Sequence, residues 1–415
     1  MPASNLRVVV DARIPAQGWG GVQQVAIGLA SGLTTIAPPD IEVLYTCYPE
    51  AREWLLPYVG SAGQLKFVPA PAPSVPGKSW LGRKLPAARR AYHAVMPAPP
   101  VPASDGTLEA LQPDVVHFPH QSAFLTKVPS VYQPHDLQHL HLPQFFTRRE
   151  IAIRETWYRA FCNQAALVAM ATTWGRDDIL RAYRLPPEKV AVVPLAPVID
   201  RYPEPSPEDL DRLREDLRLP GQFGFYPAQT WPHKNHERLL RAVAKLRAEG
   251  VVVPLVFSGA ATSYRSHLER VVADMGLGEQ VRWVGFVSPS QLRGLYRLAC
   301  CVVVPTLFES ASQPVFEALS AGVAIACSNV NATPRQVGDA ALIFDPYSID
   351  EMAGAIKRLW TEPKLREELV ARGRRRIARF TWERTARHFA AYYRQLAGRE
   401  ISDEDRAVIA AEPII

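Results

Sequence analysis

The alternation of short apolar runs with longer helical runs constrains the fold of this chain more than any other feature. The first apolar run covers residues 6–14 and leads through a glycine-containing loop into a helix predicted over residues 22–33. Apolar runs of about four to eight residues are typical of strands buried on both faces. Because helices separate these runs, the sequence predicts an α/β protein with parallel sheets wound by helices.

Two series of predicted strands follow one another along the chain. The first series lies at residues 6–14, 41–47, 114–118, 130–133, 167–171 and 190–193. The second lies at residues 223–227, 252–258, 281–285, 300–305, 324–327 and 341–344, with helices at 235–249, 264–275, 289–298, 314–321 and 349–360. A chain of 415 residues is also too long for one ordinary core. We therefore expect two Rossmann-like, doubly wound domains with a ligand cleft at the carboxyl ends of their strands.

Prolines mark the boundary between the two predicted domains. They are concentrated in residues 194–207, where they favour extended backbone over helix. We place the first domain at residues 1–198 and the second at 199–380. An amphipathic run at 381–400 has no strand after it, so its apolar stripe must pack against structure already formed. The sequence gives no assignment for the tail at 401–415.

Composition narrows the class of function without choosing one. The net charge of +6 fits binding to nucleic acid, to anionic lipid or to an anionic small molecule. The basic residues are dispersed and form no recognised nucleic-acid motif, so we expect no nucleic-acid partner. No apolar run reaches 18 residues, and the five cysteines lack CxxC spacing. These features predict a cytoplasmic protein with buried thiols.

The most informative segment is residues 305–322, PTLFESASQPVFEALSAG. A buried strand is predicted to end at Pro305, and Pro314 suits the first turn of a following helix. The start of such a helix presents free backbone N–H groups to an anion. Here those groups are predicted to belong to Ser312, Gln313 and Val315.

Two carboxylates, Glu309 and Glu317, flank this predicted helix start. Eight residues apart across a loop, they are too far apart for one tight acid/base pair. They suit two hydroxyl-bearing parts of one ligand with a diphosphate between them. The alternative is a loop acid plus a glutamate that is favourable in the first helical turn.

A cation precedes the first helix of the second half, in the segment FYPAQTWPHKNHERLL. A strand is predicted to end near Pro227, and Lys234 follows before the helix. A cation at this position can neutralise charge on a departing diphosphate. The alternative is a solvated lysine at a loop–helix junction.

Two shorter motifs follow strands of the first half. Gly20 and Gly21, in the segment GWGGV, allow close approach of backbone to a phosphate or sugar, although a flexible turn is the alternative. His135 and Asp136 directly follow a predicted strand, and here the alternative is a turn-forming aspartate beside a surface histidine. The glycine segment is not GxGxxG, which argues against a dinucleotide site.

In this order, the segments resemble the large retaining glycosyltransferase family 4, which has the GT-B fold. The resemblance covers nearly the whole chain and rests on the GGV loop, the HD pair, the PHKN segment, the E-x7-E segment and FTWE at 380–383. It implies two Rossmann-like domains with an interdomain cleft. It also implies that the final helix crosses back onto the first domain.

The resemblance implies a role for each of the singled-out residues. Glu309 would hold the hydroxyls of the donor hexose, Lys234 would contact the diphosphate, and His135 would lie against the transferred sugar. The other implied donor contacts are the ribose at Glu317, the phosphate or sugar at Gly20 and Gly21, and the nucleobase at the backbone of Gly285, Phe286 and Val287.

The implied activity is transfer of a hexose, with a slight preference for a mannose-like sugar, from a nucleoside-diphosphate sugar to a glycan or lipid-linked acceptor. No metal or cofactor is expected, because such enzymes resemble each other in using helix dipoles and basic side chains instead. The DxD at Asp209 and Asp211 looks like a capped helix start. The alternatives are another GT-B nucleotide-sugar enzyme, epimerase or glycogen-synthase-like, and a non-catalytic nucleotide-sugar-binding protein.

Three positions depart from the family pattern. Ala228 stands where the family often has an arginine that contacts the diphosphate. Ser310 and Ser312 stand where glycines are usual, and Pro334–Arg335 replaces a frequent Pro-Glu. Lys234 would therefore carry more of the interaction with the diphosphate, unless another arginine substitutes.

A basic segment at residues 77–95 combines five Lys and Arg residues with aromatic and aliphatic ones. Such a segment suggests peripheral contact with anionic lipid at the inner face of a membrane, where a lipid-linked acceptor would be met. The alternative is an exposed insertion with solvated charges.

Overall fold

The computed structural model describes residues 5–15, 20–60, 63–68 and 99–415. It divides into two compact units, each with its own sheet. The first comprises Met1–Pro194 with Trp382–Pro413, and the second comprises Leu195–Thr381 with Ile414–Ile415. The chain therefore passes from the first unit to the second after Pro194. The predicted boundary, after residue 198, lies four residues further along.

The first unit is built on a seven-stranded sheet. Its strands are β1 (Leu6–Ala12), β2 (Ile41–Cys47), β3 (Gly63–Phe67), β4 (Val115–Phe118), β5 (Ser130–Tyr132), β6 (Leu167–Met170) and β7 (Val190–Val192). They pair in parallel in the order β3-β2-β1-β4-β5-β6-β7. The four residues of β4 and those of β6 are all buried, as expected for strands with helices on both faces.

Helices cover this sheet along the described part of the chain. They are α1 (Gly20–Ile36), α2 (Ala51–Trp54), α3 (Gln138–His141), α4 (Arg148–Gln164), α5 (Thr173–Tyr183), and from the end of the chain α14 (Trp382–Leu396) and α15 (Asp403–Ala410). A capping box starts α4, in which Thr147 accepts from the Glu150 N–H and the Glu150 carboxylate accepts from the Thr147 N–H. This pairing satisfies two N–H groups that a helix start otherwise leaves without partners.

Helix α14 belongs to the first unit, which confirms the predicted return of the last amphipathic helix. Trp382 is 2% exposed and lies directly against Gly28 of α1. The hydroxyl of Tyr393 lies 2.6 Å from Nδ1 of His117 on β4, and both residues are buried. The apolar stripe that had no strand to cover is therefore buried against α1 and the sheet.

The second unit is built on a six-stranded parallel sheet. Its strands are β8 (Gly224–Pro227), β9 (Leu255–Ser258), β10 (Val281–Gly285), β11 (Cys301–Val304), β12 (Ile325–Ser328) and β13 (Ala341–Phe344). They pair in the order β10-β9-β8-β11-β12-β13. All six were predicted from the sequence to within a few residues.

The second unit alternates these strands with helices. They are α6 (Pro207–Asp216), α7 (His236–Ala248), α8 (Arg265–Asp274), α9 (Pro289–Leu298), α10 (Gln313–Ala321), α11 (Thr333–Val337), α12 (Ile349–Thr361) and α13 (Pro363–Ile377). Ser206 caps α6 and accepts from the Asp209 N–H, so this part of the DxD sequence is a helix start, as predicted. Among the described residues no helix combines the length and apolarity needed to cross a membrane.

Seven elements were absent from the prediction. They are strand β3 and the helices α2, α3, α4, α11, α13 and α15. The last of these lies in the tail for which the sequence gave no assignment. A capping box at Ser402 and Asp405 starts it.

Candidate functional site

The order of the strands in the second unit picks out one place for a ligand. From β8 the chain winds outward through β9 to β10, whereas from β11 it winds the other way through β12 to β13. The loops that follow β8 and β11 therefore diverge at the carboxyl ends of these two strands. Such a switch point is where open parallel sheets bind ligands. Lys234 follows β8 and Glu309 follows β11, so both predicted residues lie at this point.

Lys234 lies on a short turn that is fastened to the neighbouring loop. Pro232–Lys234 forms one turn of 3-10 helix, and Asn235 follows in the left-handed conformation with φ of 61°. The Asn235 side-chain amide is buried and donates to the carbonyls of Pro305 and Pro346, each at 2.9 Å. The carbonyl of Lys234 itself accepts from the Tyr226 hydroxyl at 3.1 Å. Asn235 was not singled out from the sequence.

Lys234 and Glu309 form an ion pair. The distance from Lys234 Nζ to Glu309 Oε1 is 2.5 Å, and the side chains are 22% and 12% exposed. Since both groups are partly shielded from water, their attraction is stronger than that of a surface pair. Two residues 75 positions apart in sequence are thus brought together.

The start of helix α10 differs in one respect from the prediction. We predicted a free Ser312 N–H, but this group donates to Oε1 of Gln336 at 2.9 Å. Gln313 is the first residue of the helix and Pro314 the second, so Ser312 precedes the helix proper. The prediction for Ser312 was wrong because a buried side chain from a different element occupies the N–H, which local sequence cannot reveal.

Several polar side-chain atoms beside this helix start have no hydrogen-bond partner among the residues that the structure describes. They include Ser312 Oγ and both amide atoms of Gln313, in residues that are 0% and 9% exposed. Buried polar groups are nearly always hydrogen-bonded, and leaving one unpaired costs about 1–3 kcal/mol. A polar ligand or ordered water would therefore supply hydrogen-bond partners for these unpaired groups.

Glu317 is more deeply buried than expected for a glutamate in the exposed first turn of a helix. It is the fifth residue of α10, beyond the first turn, and is 2% exposed. Its Oε2 accepts from the Tyr296 hydroxyl at 2.7 Å. Burial, with the adjacent Glu317 charge, raises the pKa of Tyr296 well above its usual value. The alternative of a dipole-favourable first-turn glutamate is thus wrong for this residue.

The segment predicted to contact a nucleobase begins at the end of β10. Gly285 has φ of +72°, in the left-handed region that favours glycine. Its carbonyl accepts from the Gly259 N–H at 2.7 Å. Phe286 is 58% exposed, and Val287 is partly buried. An exposed phenylalanine at the carboxyl end of a sheet offers a flat surface on which a base can stack.

A histidine next to Lys234 is buried among aromatic rings. His236 begins α7, is 0% exposed and packs against the rings of Tyr226, Phe257 and Trp283. Burial lowers the pKa of His236 to about 3, and the charge of Lys234 acts in the same direction. His236 is therefore neutral at physiological pH.

The sheet of the first unit has a switch point of its own, between β1 and β4. His135 lies near it, two residues beyond Gln133, which follows β5, and has φ of 65°. Its Nε2 lies 2.9 Å from the Pro119 carbonyl, which can only accept, so Nε2 carries the hydrogen. Burial lowers the pKa of His135. The ring is therefore neutral, with Nδ1 as an acceptor.

Other polar residues at this edge were missed by the sequence reasoning. Asp11 is 3% exposed and accepts two hydrogen bonds from the Arg13 guanidinium, at 2.7 and 2.8 Å, and one from the Arg13 backbone N–H at 3.2 Å. The buried His120 lies with its Nε2 3.1 Å from the Asp11 carbonyl. A usable signal existed for His120, which follows the predicted strand at 114–118 where parallel sheets gather polar groups, whereas Asp11 and Arg13 lie inside the predicted strand at 6–14.

Two predicted features are only partly described or lie outside the described residues. Gly20 and Gly21 are the first two residues of α1, and a Cβ at either would meet nothing within 4 Å. The rest of that loop, residues 16–19, lies outside the described part of the chain, as does the basic segment 77–95.

Two wound parallel sheets, each with a switch point, define the GT-B class of α/β proteins. Comparison with solved structures agrees: Anabaena HepE in complex with UDP and glucose aligns with a TM-score of 0.70 at 16% identity, over 94% of this chain and all of that chain. WaaG, a glycosyltransferase involved in lipopolysaccharide biosynthesis, aligns with a TM-score of 0.63 at 19% identity, over the same shares.

The chain belongs to the glycosyl transferases group 1, glycosyltransferase family 4. The group 1 model matches residues 213–376, and the family 4 model matches residues 19–196. Both halves of the family pattern are thus present in order, which confirms the resemblance read from the sequence.

Two curated relatives are about 30% identical to this chain over the segments that align. The O-antigen chain mannosyltransferase B of Escherichia coli is 29% identical over 60% of this chain and 66% of its own length. The MMP alpha-(1->4)-mannosyltransferase of Mycolicibacterium hassiacum is 30% identical over 54% of this chain and 52% of its own. The chain therefore spans about half to two thirds of the length of these relatives.

Proposed function

We propose that this chain is a retaining glycosyltransferase that moves a hexose from a nucleoside-diphosphate sugar to a glycan or lipid-linked acceptor without a metal ion. The proposed sugar is mannose-like. Family membership supports a glycosyltransferase, and the two relatives named above are mannosyltransferases. Retention, the hexose and metal independence rest on the family resemblance and on the chemistry of the site.

The observation that carries the proposal is the polar cluster at the switch point of the second unit. A lysine and a glutamate pair there beside a helix start whose Ser312 and Gln313 side chains have unpaired, buried polar atoms. An ammonium and a helix N-terminus suit a diphosphate, whereas a carboxylate suits sugar hydroxyls. A nucleoside-diphosphate sugar carries both groups in one molecule.

Binding of such a donor would replace the contact between Lys234 and Glu309 with contacts from each residue to the donor. The diphosphate would take the Lys234 ammonium, and the Glu309 carboxylate would then accept hydrogen bonds from the hexose. Lys234 would go on to stabilise the charge that grows on the diphosphate as the glycosidic bond to it breaks. In a front-face reaction the departing phosphate also takes the proton of the acceptor hydroxyl. The donor contacts assigned to His135, Gly20, Gly21, Phe286 and Glu317 belong to the same proposal.

The test is donor consumption by the full chain, with GDP-, UDP- and ADP-sugars offered in turn, with and without mannose-bearing oligosaccharides. We expect one donor to be consumed and Lys234→Ala to slow its consumption by about 100- to 1,000-fold. Lys245→Ala is the matched control, because Lys245 is an exposed lysine on α7 that pairs with Glu249 and Asp350. It is expected to retain full activity.

The product and the metal requirement test the finer parts of the proposal. The one-bond C1–H1 coupling constant of the transferred sugar is expected to show that the product keeps the anomeric configuration of the donor. A chelator is expected to leave the rate unchanged. Nucleotide-sugar binding without consumption of any donor would instead favour a non-catalytic binding protein. Consumption without an acceptor, with an isomeric nucleotide sugar as product, would favour an epimerase.

The acceptor side of the proposal includes the basic segment 77–95. A lipid-linked acceptor would be met at a membrane surface, and this segment is proposed to rest on anionic headgroups there. Flotation with vesicles of anionic and of neutral lipid tests it. Binding that does not depend on the charge of the lipid would remove the segment from the proposal.

A further inference from the structure

The loop that carries Glu309 is held by a segment that the sequence reasoning did not connect with it. This segment, residues 331–336, follows β12 and includes the start of helix α11. It contacts the loop at two points, one at Glu309 and one at Ser312. Together these points bracket residues 309–312, directly before Gln313, and the Ser312 hydroxyl and the Gln313 amide have no partner among the described residues.

The first point of contact holds the backbone of Glu309. Its N–H donates to Oδ1 of Asn331 at 3.1 Å, and its carbonyl accepts from the Ala332 N–H at 3.4 Å. Asn331 has φ of 50°, a left-handed conformation that asparagine tolerates better than most residues. Both polar backbone groups of the residue that carries the carboxylate are thus fixed.

The second point of contact holds the backbone of Ser312. Gln336 is 0% exposed, and its Oε1 accepts from the Ser312 N–H at 2.9 Å while its Nε2 donates to the Ser312 carbonyl at 2.7 Å. Only one orientation of the side-chain amide satisfies both groups. Arg376 of α13 in turn donates to the Gln336 carbonyl at 3.2 Å, which ties helix α11 to its neighbour.

We propose that Asn331 and Gln336 are positioning residues for sugar transfer. They hold Glu309 and the start of α10 in the geometry that the donor requires before the donor binds. A catalytic group held within a fraction of an ångström acts far better than one that must be ordered during the reaction. This inference rests on the proposed function. It concerns residues that touch Glu309 and Ser312 rather than the ligand.

Two substitutions of Asn331 separate the hydrogen bond from the backbone conformation. Asn331→Gly keeps the left-handed backbone and removes the acceptor of the Glu309 N–H. Asn331→Asp keeps an acceptor oxygen at the same place. We expect Asn331→Gly to lower kcat about ten- to a hundredfold, with KM for the donor changed less, and Asn331→Asp to recover most of kcat. Asn329→Gly, at an exposed position on the same loop, is the matched control.

Gln336→Leu tests the second point of contact. It leaves the Ser312 N–H without a partner and removes one of the two hydrogen bonds to the Ser312 carbonyl, which also accepts from the Phe316 N–H at 3.3 Å. A lower unfolding midpoint is therefore expected as well as a lower kcat. If this variant fails to fold, the Asn331 variants still decide the question. Rates are measured well below the unfolding midpoint of each variant, where a purely structural contribution leaves kcat unchanged.

Amide hydrogen exchange gives a readout that does not need activity. The Glu309 amide is expected to exchange faster in Asn331→Gly than in the unaltered chain, and no faster in Asn329→Gly. Full kcat in Asn331→Gly, equal loss in Asn331→Asp, or unchanged exchange at Glu309 would each overturn the inference. If the unaltered chain transfers no sugar, the proposed function fails, whereas the exchange rates still test whether Asn331 holds Glu309.

Discussion

The ion pair between Lys234 and Glu309 means that each residue already has a partner before a ligand arrives. A diphosphate that binds Lys234 must therefore displace a carboxylate at 2.5 Å. Exposed ion pairs contribute about 1 kcal/mol or less, and this better-shielded pair is expected near the upper end of that range. The competition is thus weak enough for a doubly charged ligand to win and strong enough to be measured.

At the residue scale we predict opposite effects of one substitution on two measurements. Glu309→Gln releases Lys234, so the affinity for a nucleoside diphosphate without sugar should rise by about three- to fivefold. Sugar transfer should fall, because the carboxylate that holds the hexose is gone. Calorimetric titration with GDP or UDP measures the first effect. Glu249→Gln, which removes an exposed carboxylate paired with Lys245 and Lys357, should change neither. Weaker diphosphate binding in Glu309→Gln would contradict the exchange.

A second residue-scale prediction concerns pH. The pKa of His236 is about 3 in the folded chain and near 6.5 when unfolded, so below about pH 6.5 the unfolded chain binds the extra proton. Stability should therefore fall as pH falls, with His236 contributing about 1.4 kcal/mol of loss between about pH 7.5 and about pH 5.5. His236→Phe should make the loss smaller by that amount in urea unfolding. An unchanged pH dependence in this variant would show that other groups control it.

At the scale of elements, two glycines set how closely α1 and α14 pack. A Cβ at Gly28 would lie 1.9 Å from Cε2 of Trp382, and one at Gly32 would lie 2.3 Å from the Trp382 carbonyl oxygen. Residues four apart share one face of a helix. Neither the tryptophan ring nor its backbone has room to give way without moving the helix.

We therefore predict that Gly32→Ala lowers the free energy of unfolding of the first unit by about 1–3 kcal/mol, as overpacking does elsewhere. Gly354→Ala is the matched control, because a Cβ at Gly354 in helix α12 would meet nothing within 4 Å. That substitution should raise stability slightly, since alanine favours a helix over glycine by about 1 kcal/mol. Thermal and urea unfolding measure both. A neutral Gly32→Ala would mean that α14 shifts at little cost.

The elements that the sequence predicted and those that it did not differ in burial. Every strand of the second unit was found, and all but β10, which contains Arg282, are predominantly apolar runs. Helix α4 buries only Tyr158, Phe161 and Cys162 of its seventeen residues, and α13 buries only Leu369 and Gly373. Helix α13 has few apolar positions from which a 3.6-residue period is read, whereas α4 carries such a period at Trp157, Tyr158, Phe161 and Cys162 and was missed. Strand β3 lies at an edge of its sheet and has no fully buried residue, so it forms no apolar run either.

The sequence predicted some residues of the candidate site but not the hydrogen bonds that hold them. Lys234 and Glu309 were singled out because each follows a strand, and the strand order then brings their loops together. The hydrogen bonds of Asn331, Asn235 and Gln336 were not predictable in the same way. Each links backbone groups to a side chain that is remote in sequence. A single sequence does not show which distant residues meet in the folded protein.

At the scale of the whole molecule, the first unit needs residues from the end of the chain. Helix α14 places Trp382 against α1 and Tyr393 against His117, and Arg394 makes ion pairs with Asp40 and Asp405. A chain that stops at Thr381 would expose the apolar face of α1 and leave His117 without its partner on α14.

We predict that removing residues 382–415 unfolds or loosens the first unit and leaves the second largely intact. Amide exchange should accelerate in β1, β2 and α1, while β8 and β11 keep their protection. A chain that lacks only the last five residues, 411–415, retains α14 and α15 and serves as the control. Equal loss of protection in both sheets would mean that the units do not unfold separately.

The placement of α14 also orders events during synthesis on the ribosome. Residues 195–381 are complete, with all six of their strands, before the helix that the first sheet requires has been translated. The part of the protein that is made first is therefore finished last. Until then the nascent chain carries an uncovered apolar surface on α1, which makes it a substrate for chaperones over the time needed to add about two hundred residues.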